Sequence, residues 1–198
     1  MRRRTLGSLL CLLCVVAAAA PATQAKVVQS SRQYVQGQVI GIGGRRAGLN
    51  RPFSLLVNSY TSPDDVERLE RALRDGGQDE LLRVLSRLNA GRVSVGNNVG
   101  VRANAVISTP TAEGGTKLTV LYERNINIFE LRYGARSQDY RFGYAEIFLD
   151  SRGRGQGTFI PAAKVKLEGD NNWVVEDFGE YPARLMGLRS TGRVGGVR

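Results

Sequence analysis

From Arg92 onward the chain reads as one short β-type segment after another. "GRVSVG", "VRANAVIST", "TKLTVLYE", "INIFELRY", "YRFGYAEIFLD", "GTFIPAAKVKLE", "NNWVVEDF" and "ARLMGL" are separated by turn-forming clusters such as "PTAEGG" and "GDNN". No helical stretch long enough for a crossover lies between them, and parallel neighbours would need one. The segments must therefore pair mainly antiparallel. Upstream, "YVQGQVIGIGG" and "PFSLLVNSY" flank "RRAGLN", a further hairpin with a longer loop. The expected fold class is α+β, mostly β: an antiparallel sheet, sandwich or partly closed barrel with an inserted helix pair.

The helix pair is written between residues 62 and 89. Ser62 suits the cap, Pro63 the first helical position, and Asp64 and Asp65 the positive end of the dipole. Val66, Leu69 and Leu73 form an apolar stripe, and Gly76 and Gly77 end the first helix. The second carries Leu81, Leu82, Leu85 and Leu88 on its inner face and stops at Asn89 to Gly91. Both stripes are expected to be core contacts.

The ends are simpler. Arg2, Arg3 and Arg4 precede an apolar run over 6–20 and then "AAAAPATQA", the pattern of an export signal cleaved near Lys26. An apolar run of this length is short for a membrane span. Leu10 and Leu13 stand before Cys11 and Cys14 where a lipoprotein signal wants small residues. The organisation expected is a signal over 1–25, a lead-in over 26–33, one β-rich domain over 34–188, and a flexible basic tail over 189–198. A secreted or periplasmic bacterial protein follows, not transmembrane once the signal is removed.

Cleavage would remove both cysteines, so no internal disulfide is expected. It would also remove three arginines, leaving 25 basic residues against 18 acidic, a net charge of +7. That surface favours anionic partners without naming one. The chain has no histidine, which rules out Ser-His and Cys-His dyads and the commonest zinc ligand. Any catalysis would rest on carboxylates, Lys, Tyr, or Ser with Lys. No cofactor and no metal are expected.

"DSRGRGQGTFIPAAKVKLE" raises the question of a phosphate loop. A phosphate loop leads from a strand into a helix. Here Phe159, Pro161, Ala163, Val165 and Leu167 alternate with Thr158, Ile160, Ala162, Lys164 and Lys166, so a strand leaves the loop as well. The glycines at 153, 155 and 157 are read as a hairpin turn needing positive φ.

The strand before that turn carries the candidate ligand-binding residues. Tyr140, Phe142, Tyr144, Glu146 and Phe148 share one face, and Gly143, Ala145, Ile147 and Leu149 the other. A strand apolar on both faces is expected between two layers. A carboxylate among aromatic rings either anchors a ligand in an aromatic cavity or is paired, with Arg132 or Arg141 as the expected partner, or lies at a wet edge.

Weaker candidates are a carboxylate set of Glu123, Glu130 and Glu146 for glycan hydrolysis. Asp170, Asn171 and Asn172 are possible calcium contacts but read first as a turn. Arg184, Arg189, Arg193 and Arg198 can clasp polyanions, yet lack interleaved aromatics, so no specific nucleic acid is expected.

The blocks "NSYTSPDDVERLERALRDGGQDELLRVLSRL" and "YRFGYAEIFLDSRGRGQGTFIPAAKVKLE", followed by "FGEYPARLMGL", resemble a group of exported bacterial proteins. The resemblance spans residues 55–188, implies a single exported domain and carries no activity. The functional expectation is a non-catalytic envelope domain that binds a small apolar or amphipathic ligand or an envelope component. The alternatives are a carboxylate-dependent glycan hydrolase and a surface binder of anionic polymers.

Overall fold

The computed structural model describes residues 32–44, 47–124, 139–169 and 171–192. The export signal, the expected strand "INIFELRY", Glu130, Arg132, Asp170, Arg193 and Arg198 all lie outside the described residues.

The chain opens with the expected hairpin, β1 (Gln33–Gly41) and β2 (Asn50–Val57), and continues into the helical segment α1 (Pro63–Leu85). Strands β3 (Gly91–Val95), β4 (Val101–Ala103), β5 (Ala105–Pro110) and β6 (Thr116–Glu123) follow, and then β7 (Phe142–Leu149), β8 (Arg154–Glu168), β9 (Asn172–Phe178) and β10 (Ala183–Thr191). Among the described residues ten strands join one antiparallel sheet in the order β4-β3-β2-β1-β10-β8-β7-β6-β5, with β9 added on β8. The last strand runs through Arg189–Thr191 against β1, three residues past the expected end of the folded part.

That order curls into a nearly closed barrel. Asn104 alone separates β4, which pairs with β3, from β5, which pairs with β6. The two are halves of one bent stave, so the ends of the sheet meet there. Isolated hydrogen bonds rather than a continuous ladder span the unsealed seam. Asn104 Oδ1 accepts from Glu123 N at 2.9 Å. Thr61 N donates to Val106 O, and Val106 N donates to Thr61 Oγ1, both at 2.9 Å.

A barrel of this size is just wide enough for side chains to fill. Val35, Leu55, Val93, Val120, Ile147 and Leu185 belong to one buried cluster inside it. Leu185 and Leu188 both reach that cluster, three positions apart, because the register of β10 shifts between them at Gly187, where φ is +60°.

The helical segment covers the outside of β6–β8, not an end of the barrel. Ser62 caps it as expected, accepting from Asp65 N at 3.2 Å, with Pro63 in the first turn. Gly77 (φ +63°, ψ −152°) breaks it into arms of 63–76 and 78–85. Leu69, Leu81 and Leu85 are fully buried against Leu121, Phe142, Tyr144 and Trp173. Each such leucine contributes about 2 kcal/mol by leaving water, so the apolar stripes are core contacts. At the end of the second arm Asn104 Nδ2 donates to Leu85 O and Leu88 O, at 3.1 and 3.3 Å.

The glycine-rich stretch is a turn with strands on both sides. Asp150 orders it, its carboxylate accepting from Arg152 N and Arg154 N at 2.8 Å each. The reason for the glycines differs from expectation: only Gly153 has a positive φ, +72°. Gly155 and Gly157 lie within β8, where a side chain would collide with the backbone oxygens of Phe148 and Glu146 on β7. Close approach of two strands, not turn geometry, fixes them.

Candidate functional site

Among the described residues no recess brings the five aromatic-face residues together. Strand β7 does lie between two layers, with Ala145, Ile147 and Leu149 in the barrel interior. On its outer face Phe142 and Tyr144 are sealed under the helical arms and Trp173. Burial, and then the neighbouring Glu146 carboxylate, push the Tyr144 phenol well above its usual range. Tyr140 is buried as well and donates to Asp177 Oδ2 at 2.7 Å.

Among the described residues Lys117 of the adjoining strand, not Arg141, holds Glu146, at 2.7 Å; the other expected partner, Arg132, lies outside them. Phe148 is 44% exposed, with the Lys117 ammonium 6.0 Å from its ring centre. The face is thus covered at one end and carries a partly buried charge pair at the other.

The weaker candidates also resolve geometrically. Glu146 stands opposite Thr119 on β6, four residues from Glu123, a backbone separation of about 13 Å. The Lys117 contact draws the Glu146 carboxylate further away. Glycosidase pairs need no more than about 9.5 Å, so these two carboxylates do not form one. The amide oxygens of Asn171 and Asn172 accept from Arg74 and Lys117. No cluster of metal-ligating acids forms among the described residues. Arg184 and Arg189 are exposed on β10. On the first helical arm Arg68 and Arg71 are paired with Asp65 and Glu67.

Two recesses that could take a ligand lie at the two ends of the barrel. At the first end, the β3–β4 turn and the β9–β10 connection stand beside β6 and β8. They enclose a recess of about 560 Å³ whose lining includes Val95, Val101, Tyr122, Phe159, Arg124 and Glu180. Its floor is aromatic: the Tyr122 and Phe159 rings stack with centres 6.3 Å apart and planes 17° apart. Phe53 meets Phe159 edge-on at 6.2 Å. Gly143 makes this possible, because the Tyr122 ring occupies the space a side chain there would fill. The loops at this end carry exposed apolar residues: Val99 is 83% exposed, Tyr181 61% and Ile42 54%. Tyr181 lies over Gly43 and Gly44 and meets the Phe178 ring at 6.2 Å.

At the opposite end the start of β1, the end of β10 and the β5–β6 and β7–β8 turns enclose a recess of about 620 Å³. Its lining is polar and includes Gln33, Tyr60, Ser108, Ser190, Asp150 and Arg152. Single-strand alternation missed both recesses, because each is assembled from several strands. The exposed apolar positions flanking Gly43, Gly100 and Pro182 were the one available signal.

No family model, curated protein or solved structure matches this chain. Among the described residues no helix is long and apolar enough to cross a membrane.

Proposed function

We infer that this is an exported, non-catalytic binding protein that takes a small amphipathic ligand at the apolar end of its barrel. The observation carrying this reading is the stacked Tyr122–Phe159 floor of the recess, with the exposed Val99 on its lining and the exposed Tyr181 and Ile42 on loops at the same end. Exposed apolar side chains gathered at one recess favour an apolar occupant. Arg124 and Glu180 on the same lining offer charged groups to a polar head. The ligand body rests on rings and valines while its head stays beside water. Export rests on the arginine-led apolar segment over 2–20.

The test is fluorescence titration with the amphipathic probe 1-anilinonaphthalene-8-sulfonate, followed by displacement with fatty acids of graded chain length. Saturable binding that weakens at least fivefold in Val99→Asp and Tyr122→Ala supports the reading. A folded protein that binds no probe, or binds it equally well in both variants, defeats it.

A further inference from the structure

We propose that the polar end of the barrel is a second, independent site that binds a neutral saccharide unit. The fold brings four side chains, Gln33, Tyr60, Ser108 and Ser190, to this recess from far apart in the sequence. Ser108 and Tyr60 line the same recess. The Tyr60 hydroxyl donates to Gln33 Oε1 at 2.5 Å, and Gln33 Nε2 donates to Ser190 Oγ at 2.7 Å. Both links run in the same direction, so the bonds polarise one another along the chain. Ser190 ends the run, and its own hydroxyl hydrogen is available to an acceptor in the recess. The second N–H of Gln33 is another donor, and the Ser108 oxygen retains acceptor capacity.

This pattern suits hydroxyl groups better than ions. An anion wants several converging donors with no acceptors among them. Here donors and acceptors alternate along a neutral floor, and a sugar hydroxyl is itself both donor and acceptor. The fixed charge lies at the rim. The Asp150 carboxylate is already engaged by the backbone N–H groups of its own turn, and burial pushes the Tyr60 phenol above its usual range, so it stays a neutral donor at physiological pH. Leu149 and the Tyr60 ring supply apolar surface for the C–H face of a sugar ring, and Gly114, Gly153 and Gly192 keep the wall low. The network also does more than seal the barrel end: Gln33 is buried, whereas Ser108 is exposed to the recess.

The experiment is saturation-transfer NMR and calorimetry on the folded protein with glucose, N-acetylglucosamine and maltose, with glucuronate and inorganic phosphate as charged comparators. The expected result is saturable binding of at least one neutral sugar. That binding should weaken about fivefold in Ser190→Ala and in Tyr60→Phe, the effect of one lost hydrogen bond each. Ser190→Ala removes only the terminal hydroxyl, so it keeps the test valid if Tyr60→Phe melts early. Absence of neutral-sugar binding, equal binding by Ser190→Ala, or binding confined to glucuronate or phosphate and lost in Arg152→Ala would each overturn the proposal. The anilinonaphthalene signal from the opposite end should be the same in all three variants, so this site can fail without affecting the amphiphile reading.

Discussion

The two ends of the barrel are built from the same staves yet present opposite chemistry. At one end the staves finish in stacked rings and the loops expose Val99, Tyr181 and Ile42. At the other they finish in a chain of hydroxyls and an amide, and the adjoining turn is tied by Asp150 to its own backbone. The filled interior between them separates the two recesses. The lesson is that alternation within a strand decides which residues fill the barrel. What each end can bind depends on the residues where strands stop and turns begin.

The most damaging change expected is Phe159→Ala, which removes the ring that both Phe53 and Tyr122 contact. Loss of a buried phenylalanine costs about 4 kcal/mol, read by urea unfolding. Sugar binding at the far end should persist in whatever fraction stays folded, while probe binding at the apolar end falls away. If both ends fail together in the folded fraction, the ends are not independent.

Asn104→Leu comes next, because it breaks the seam on which both ends depend. The substitution strips partners from Glu123 N, Leu85 O and Leu88 O in one step. Stranded buried polar groups of this kind cost about 3 kcal/mol together. Thermal melting checks this, and both binding activities should weaken in parallel with stability. A melting temperature within experimental scatter of wild type would show that the backbone ladder alone closes the barrel.

Much of this architecture was legible in the sequence and much was not. The strands were visible because turn clusters such as "PTAEGG" punctuate period-two segments. The first helical arm was visible because Ser62, Pro63 and Asp65 spell out its start. The double burial of β7 was readable from its two apolar faces. The candidate face divides because residues i and i+2 share a side only within one strand, and the helix covers half of that side. The polar recess was invisible for the complementary reason. Gln33 and Ser190 touch although 157 positions separate them, and no local pattern records such a meeting. The glycines at 155 and 157 were assigned to the turn because a sequence does not show how closely the neighbouring strand approaches.

The smallest expected effect sharpens the comparison through pH. Backbone hydrogen bonds, first from Arg154, hold the Asp150 carboxyl below its ordinary value of 3.8. A depressed carboxylate adds stability above its unfolded value and loses it as pH falls through the folded one. Acid should therefore loosen the turn at the polar end, seen as falling amide protection at Arg152 and Arg154. The β3–β4 turn at the apolar end, with Ser94 and Asn98 as its side-chain ties, should keep its protection. Glu70 on the first helical arm runs the other way: burial raises its carboxyl above 4.5 against the pull of Arg74. Its contribution is present below 4.5 and is lost as pH rises through the folded value, so Glu70→Gln should gain stability relative to wild type toward neutral pH. Asp150→Asn should lose stability at neutral pH and match wild type in strong acid. Equal loss of protection at both turns would mean that Asp150 does not set the two ends apart.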